Sequence, residues 1–213
     1  MFQALNYAIV AHFLCGNYAS TETLANELYT LADEQESLAL WKPAGLLYRG
    51  WIFAVTSRAS EAIQLITSGF APYRSTGSTN LTPVGLSFLG KCHAELGQPD
   101  EALRFVDEAK EVIARTGETW FEAHVHRIAG EIALKSPQPD IAKVEACFER
   151  ALAVARQQQA KSWELRAAMS MARVWRDQGK RQQARELVAP IYNSFTEGFD
   201  TRDLKEARTL LEE

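Results

Sequence analysis

The sequence of 213 residues predicts an all-α fold, a right-handed superhelical solenoid in which about five helix hairpins stack in a row and one C-terminal helix caps the last of them. Three observations predict this class. Small residues recur with a period of about 40 residues, apolar residues within each copy follow helical spacing, and the alternating β-branched runs typical of strands are lacking. Because such a hairpin buries its apolar face only against its neighbours, we expect one continuous domain.

The third copy shows the repeat most clearly, in residues 87–114 (SFLGKCHAELGQPDEALRFVDEAKEVIA). Gly90 and Ala102 are small enough to let two helices approach closely. The turn signal GQPD at 97–100 lies between them, with Pro99 placed to open the second helix. These offsets resemble the tetratricopeptide (TPR) pattern. The resemblance implies two antiparallel helices in each repeat, with the first helix lining a concave groove.

A small residue recurs at the position equivalent to Gly90, as Gly50, Gly130 and Ala172. A weaker copy of the repeat begins the sequence. From these positions we expect repeats at about 1–36, 37–75, 81–116, 119–158 and 161–195. The composition of residues 71–83 predicts one long loop, and residues 134–140 predict a lengthened turn inside the fourth repeat.

The last residues, TEGFDTRDLKEARTLLEE, predict a short capping helix at 200–213. Asp200 or Thr201 is a typical helix start. The apolar residues that follow form a single stripe: Leu204, Ala207, Leu210 and Leu211. A helix of this length does not persist alone in water, so we expect it to cover the last hairpin with a polar outer side.

Composition and charge argue against several classes of partner. The net charge of −4 gives no reason to expect nucleic acid. Residues 1–15 are apolar but lack a basic n-region and are too few to span a membrane, so we expect no targeting signal and no membrane partner. Cys15, Cys92 and Cys147 lie far apart in apolar helical contexts, which predicts buried reduced thiols and a cytoplasmic location.

Motifs for catalysis, metals and cofactors are missing from the sequence. His124 and His126 are two residues apart, so on a helix they point roughly 200° away from each other and do not share an ion. There is no HExxH, CxxC, GxSxG or P-loop motif, and nothing brings Glu131 near Glu145 as an acid–base pair. We therefore expect no enzyme, no metal and no cofactor in this chain.

The candidate binding surface is the concave groove that the first helices would line. Its side chains run from an aromatic end at Trp51 to a basic end of arginines. The candidate residues are Trp51, Lys91, His124, Arg127, Glu131, Arg166, Arg173 and Arg176. A carboxylate or phosphate fits the basic end, because arginine pairs with such groups through two N–H donors. The alternative is that these arginines pair with Glu131, Glu164 and Asp177 on a solvated face.

Residues 119–213 resemble a more specific family, chiefly through ELRAAMSMARVWRDQGK, ELVAPIY and TEGFDTRDLKEA. These segments are similar to the C-terminal TPR-like region of bacterial class III adenylate/guanylate cyclase or STAND-type ATPase signalling proteins. Over residues 1–118 the similarity is general, and none of the family's catalytic motifs falls within the chain. The resemblance implies a C-terminal piece of a longer protein, acting as a regulatory module.

Two kinds of partner follow from this resemblance and from the groove. The first is a protein or peptide, or the upstream domains of the same polypeptide. The alternative is a small-molecule sensor that binds an anionic effector in the concave groove.

Overall fold

The computed structural model describes residues 1–34 and 39–213, and this part of the chain folds into eleven helices and no strand. The helices are α1 (Phe2–Leu14), α2 (Tyr18–Glu34), α3 (Trp41–Val55), α4 (Ala59–Ser75), α5 (Thr82–Glu95), α6 (Pro99–Thr116), α7 (Glu122–Leu134), α8 (Ile141–Gln157), α9 (Lys161–Asp177), α10 (Arg181–Tyr192) and α11 (Arg202–Glu212). They confirm the all-α class with five hairpins and a C-terminal helix. The predicted boundary between the first two repeats, at 36 and 37, lies outside the described residues.

The chain forms two compact units, residues 1–118 and residues 119–213. The first unit contains the hairpins α1–α2, α3–α4 and α5–α6. The second contains α7–α8 and α9–α10, followed by α11. That all repeats form one continuous domain stays a prediction. No helix of the described segments is both long and apolar enough to cross a membrane.

Tight hairpins share one turn geometry. Their first helix is followed by a residue in the left-handed region, at Gly16, Ser57, Gly97 and Gly179 (φ 76°, 61°, 73° and 80°). The next amide then donates to a carbonyl in the last turn of the first helix, as from Gln98 to His93 at 2.9 Å. Because this turn recurs at nearly constant spacing, it fixes the period seen in the sequence. The α7–α8 hairpin instead has the longer connection 135–140, as predicted.

Helices within a hairpin pack closely at the small positions. A Cβ added to Gly130 would lie 2.5 Å from Cε1 of the Phe148 ring on α8. A Cβ at Gly50 would overlap the side chain of Ile66 on α4 in the same way. Both partners are fully buried. Glycine therefore lets the second helix approach at the repeat positions that the sequence identified.

The long loop predicted at 71–83 is shorter than expected, and this corrects the sequence interpretation. Helix α4 continues to Ser75 with Pro72 inside it, and α5 begins at Thr82, which leaves only 76–81 as a connection. Proline at this position removes the bond that an amide at residue 72 would donate to the carbonyl of residue 68, so the helix continues with one hydrogen bond fewer. Burial of Tyr73, which is 2% exposed, favours the extra helical turn.

One of the three cysteines departs from its predicted environment. Cys92 is buried and Cys147 is half-buried, but Cys15 is exposed. Cys15 forms the C-cap of α1, at the start of the turn to α2, where the backbone leaves the packed face. The expectation of three buried thiols is therefore confirmed for Cys92, met only in part for Cys147 and wrong for Cys15.

Candidate functional site

Three of the predicted groove arginines lie in a row on α9. Arg166, Arg173 and Arg176 follow helical spacing, so they share one face of the helix. Met169, on the same face, is 2% exposed and belongs to a core cluster that includes Leu204 and Ala207 of α11. We call the three arginines the arginine row. The row thus borders the apolar contact between α9 and α11.

Each member of the arginine row meets a carboxylate from the C-terminal segment. Arg166 Nε donates to Asp203 Oδ2 at 2.6 Å, and Arg173 Nη2 donates to Glu206 Oε2 at 3.0 Å. Arg176 Nη1 donates to the side chain of Glu213. The pairs occur in the same order along both segments, and both span the same number of residues, from 166 to 176 and from 203 to 213. Helix α11 therefore lies alongside α9 with a carboxylate opposite each arginine, although the intervals are seven and three residues along α9 and three and seven along the C-terminal segment.

The environment of the paired groups favours their charged forms. Burial raises the pKa of Glu206, but the hydrogen bond from Arg202 and the charges of Arg202 and Arg173 outweigh it, so the pKa is lowered overall. Hydrogen bonds to Glu213 and then to Asp177 raise the pKa of Arg176.

The Arg166–Asp203 pair is the best shielded of the three, since its side chains are only 15% and 23% exposed. We therefore expect this pair to contribute more to docking of α11 than the exposed pairs do.

The sequence interpretation missed the main partners of the arginine row. It paired the groove arginines, Arg127 among them, with Glu131, Glu164 and Asp177, and two such pairs occur: Arg127 with Glu131, and Arg176 with Asp177 at 3.1 Å. Glu164 instead accepts hydrogen bonds from Arg156 at 2.9 Å and Lys161 at 3.3 Å. The matching ten-residue spans of the two charge sets were a usable signal in the sequence. Assigning the pairs still required the docked position of α11.

His124, Arg127 and Glu131 form a separate cluster on α7. His124 is 4% exposed, with its ring centroid 5.2 Å from Trp163 and 5.7 Å from Phe121. Arg127 Nη2 lies 3.3 Å from Nδ1 of His124, and Arg127 also pairs with Glu131. These side chains hold the second unit together, and His124 offers almost no surface to a groove ligand.

Trp51 does not line a groove, which corrects the predicted aromatic end. The side chain is 0% exposed, and its ring centroid lies 4.9 Å from Tyr48, 5.7 Å from Phe13 and 6.0 Å from Phe88. Because Phe13 comes from α1 and Phe88 from α5, the neighbouring first helices cover Trp51. The tryptophan is part of the core of the first unit.

Lys91, the remaining candidate, joins two first helices of the same unit. Its Nζ donates to the backbone oxygen of Ala54, at the end of α3, at 3.0 Å and also pairs with Glu95. A cation at a helix C-terminus is favourable because carbonyl groups there lack helix partners. Lys91 therefore has a structural role in this conformation.

Among the described residues, no group of three His, Cys, Asp or Glu side chains is placed to hold a metal ion. The arrangement that the second unit does offer is a row of guanidinium groups beside an apolar strip. Such a surface can bind carboxylates and bury a few apolar side chains at the same time.

Comparison with solved structures identifies the kind of fold. The chain is similar to the crystal structure of a putative kinesin light chain from Podosopora anserina with nearly identical TPR-like repeats, with a TM-score of 0.51 and 15% identity, covering 98% of this chain and 93% of that one. A second crystal structure, of a variant of that protein, gives a TM-score of 0.53 at 15% identity, covering 89% and 92% of the two chains. No family model and no curated protein matches the sequence. The fold is thus a TPR-like helical repeat.

Proposed function

We propose that this chain is a protein-interaction module whose arginine row binds an acidic helical segment. The observation that carries the proposal is the match between the three arginines of α9 and the three carboxylates that follow Thr201. The TPR-like fold supports it, because arrays of this kind generally mediate protein–protein interactions. Helix α11 then has two roles. It is an example of the acidic helix that the arginine row binds, and it competes with a partner helix for the same row.

The docking of α11 has the properties of a reversible contact. The helix has 11 residues, too few to be stable alone in water. It buries only Leu204 and Ala207 fully, while Leu210 and Leu211 are partly buried. A partner helix with the same spacing of acids and apolar residues would bury a similar area. Exchange of α11 for such a helix therefore costs little apolar contact.

A peptide titration on the full chain tests this function. Asp203→Lys combined with Glu206→Lys places α11 cations opposite the arginine row, so α11 should leave α9. A synthetic peptide of residues 196–213 is then titrated by calorimetry into this variant and into the wild type. We expect the peptide to bind the variant at least tenfold more tightly, because the row is free to accept it.

Two controls separate specific binding from general charge attraction. Glu197→Lys combined with Glu212→Lys makes the same change in net charge but leaves Asp203 and Glu206 in place, so it should not increase binding. Adding Arg166→Ala and Arg173→Ala to the first variant should abolish binding. Equal affinity with and without these arginines would rule out the arginine row as the binding surface.

A small anionic effector is the alternative occupant of the same row. Malonate carries two carboxylates but has no apolar side chains to bury between α9 and its ligand. If malonate binds the Asp203→Lys, Glu206→Lys variant as tightly as the peptide does, the effector is favoured over the protein partner.

We also propose that the module regulates a longer signalling protein with a nucleotide cyclase or STAND-type ATPase domain. The similarity of residues 119–213 to that family supports this proposal. Sequencing of the coding region upstream of the Met1 codon tests it. An in-frame cyclase or P-loop ATPase domain is expected, and an in-frame stop codon without such a domain would contradict the proposal.

A further inference from the structure

The first unit contains a polar cleft of about 420 Å³ between the end of α4, the connection 76–81 and α6. This volume lies within the range of small-molecule sites, about 300–1,000 Å³. Side chains of both charges and several hydroxyl groups line it, among them Arg74, Ser78, Thr82, Glu108, Glu111 and Arg115. The wall is therefore polar and electrically balanced.

Hydrogen bonds hold the wall of the cleft in place. The buried hydroxyl of Tyr73 donates to Asn80 Oδ1, and the hydroxyl of Thr76 donates to the Tyr73 carbonyl at 2.7 Å. Burial raises the pKa of Tyr73 to about 12, so the hydroxyl keeps its proton at neutral pH. Arg74 Nη2 donates to Glu108 Oε1 at 3.1 Å and joins α4 to α6. The shape of the cleft is thus set before any ligand arrives.

Two charged groups in the cleft are not used by the fold. Glu111 and Arg115 lie one turn apart on α6, and neither has an ion pair or hydrogen bond within the described residues. Their Cβ atoms are about 5–6 Å apart, as for any such helical pair. Arg74 and Glu108, in contrast, neutralise each other. The cleft therefore presents one cation and one anion that are available to a ligand.

Thr82 supplies an independent sign that the cleft suits a polar ligand. Its side chain lines the cleft and is 2% exposed, yet its Oγ1 has no hydrogen-bond partner within the described part of the chain. Buried hydroxyl groups are almost always paired, because an unpaired one loses its hydration without compensation. A polar ligand would supply the missing bond.

We propose that this cleft binds a free α-amino acid as a zwitterion. Arg115 pairs with the carboxylate through two N–H donors, Glu111 accepts the ammonium group, and the hydroxyl of Thr82 makes its missing hydrogen bond to the ligand. A simple anion would use Arg115 but leave Glu111 beside it unpaired, and a simple cation would use Glu111 but leave Arg115 unpaired. Only a ligand with both charges uses both unpaired groups.

Calorimetric titration of the full chain with each standard amino acid in turn tests the proposal. At least one should bind with a stoichiometry of one. Arg115→Ala and Glu111→Gln should each weaken binding at least tenfold, since each removes one charge-assisted contact. Lys110→Ala combined with Asp107→Asn removes an exposed ion pair of the same helix, neither member of which lines the cleft, and should leave the affinity unchanged.

Thr82→Val separates a binding role from a structural one. Without ligand, the variant should melt at the same temperature as the wild type or higher, because the unpaired hydroxyl is gone. With ligand, its affinity should fall. The proposal is overturned if no amino acid binds, if Arg115→Ala and Glu111→Gln leave binding intact, or if acetate or methylammonium alone binds as tightly as the amino acid.

Discussion

In the unit of residues 119–213, α8 packs against α7 and α11 packs against α9, but different forces hold the two helices in place. Helix α8 packs on α7 through shape, with the ring of Phe148 seated against Gly130 and six buried residues along the helix. Helix α11 buries two residues fully and meets α9 through ion pairs with the arginine row. The hairpin helices are thus held mainly by complementary shape, whereas α11 combines a smaller apolar contact with ion pairs.

The largest expected effect is on the contact held by shape. Gly130→Leu would force a branched side chain into space that the Phe148 ring occupies, and overpacking of this kind costs about 3 kcal/mol. Urea unfolding measures the loss of stability. Ala146→Leu adds the same side chain at an exposed position of α8 and should change stability by less than about 0.5 kcal/mol. Equal stability of the two variants would contradict the packing described here.

The equivalent substitution in the first unit tests the register of the repeat. Gly90 occupies in α5 the position that Gly130 occupies in α7, and it is buried. Gly90→Leu should therefore destabilise the third hairpin by about 1–3 kcal/mol. A melting temperature equal to that of the wild type would count against the assigned register.

Removal of one ion pair should release α11 without unfolding the hairpins. Asp203→Ala leaves the shielded guanidinium of Arg166 without its partner on α11, and a hydrogen bond to a charged group is worth about 1.5 kcal/mol. Hydrogen exchange should show faster exchange in α11 and unchanged exchange in α8. Glu212→Ala removes only a well-exposed pair with Arg208, so its effect should be near zero. Similar exchange in both variants would argue against attachment by charge.

A smaller effect is expected from pH. In docked α11, burial raises the pKa of Glu206, but Arg202 of the same helix and then Arg173 of α9 outweigh it and hold the pKa below 4.5. Because released α11 is too short to keep its helix, it loses both arginine contacts and binds more protons when the pH falls into this range. The contribution of Glu206 is therefore complete above pH 4.5 and is lost as the pH falls through the lowered pKa. Glu206→Gln should remove this part of the pH dependence. Hydrogen exchange of α11 is measured against pH in the wild type and in the Glu206→Gln variant. Identical pH profiles in the two proteins would contradict this role of Glu206.

The smallest effect concerns the hairpin turns. Ser57 has a positive φ of 61° where Gly97 has 73°, and a side chain in this region costs about 1 kcal/mol. Ser57→Gly should raise stability by somewhat less than this, because glycine also gains freedom in the unfolded chain. Gly97→Ser should lower stability by a similar amount. Urea unfolding of both variants provides the check, and changes of the same sign would contradict the shared turn.

The class of fold and the position of the turns inside the hairpins can be predicted from the sequence alone. Helical spacing depends on neighbours three and four residues apart, and the turn at 97–100 depends on its own glycine and proline, so both can be predicted locally. The close approach at Gly50 and Gly130 also follows from residue size within one hairpin. The N-cap of α11 at Thr201 can also be predicted locally, because it depends on the type of residue that begins a helix.

Which side chains a ligand can reach depends on tertiary packing and could not be predicted from local patterns. Trp51 lies on the expected face of α3, but Phe13 and Phe88 from two other helices cover it. Arg166 meets Asp203, 37 residues away, because α11 docks beside α9. Exposure and pairing depend on how closely separate elements approach, and that distance is set by the sum of their packing rather than by any local spacing.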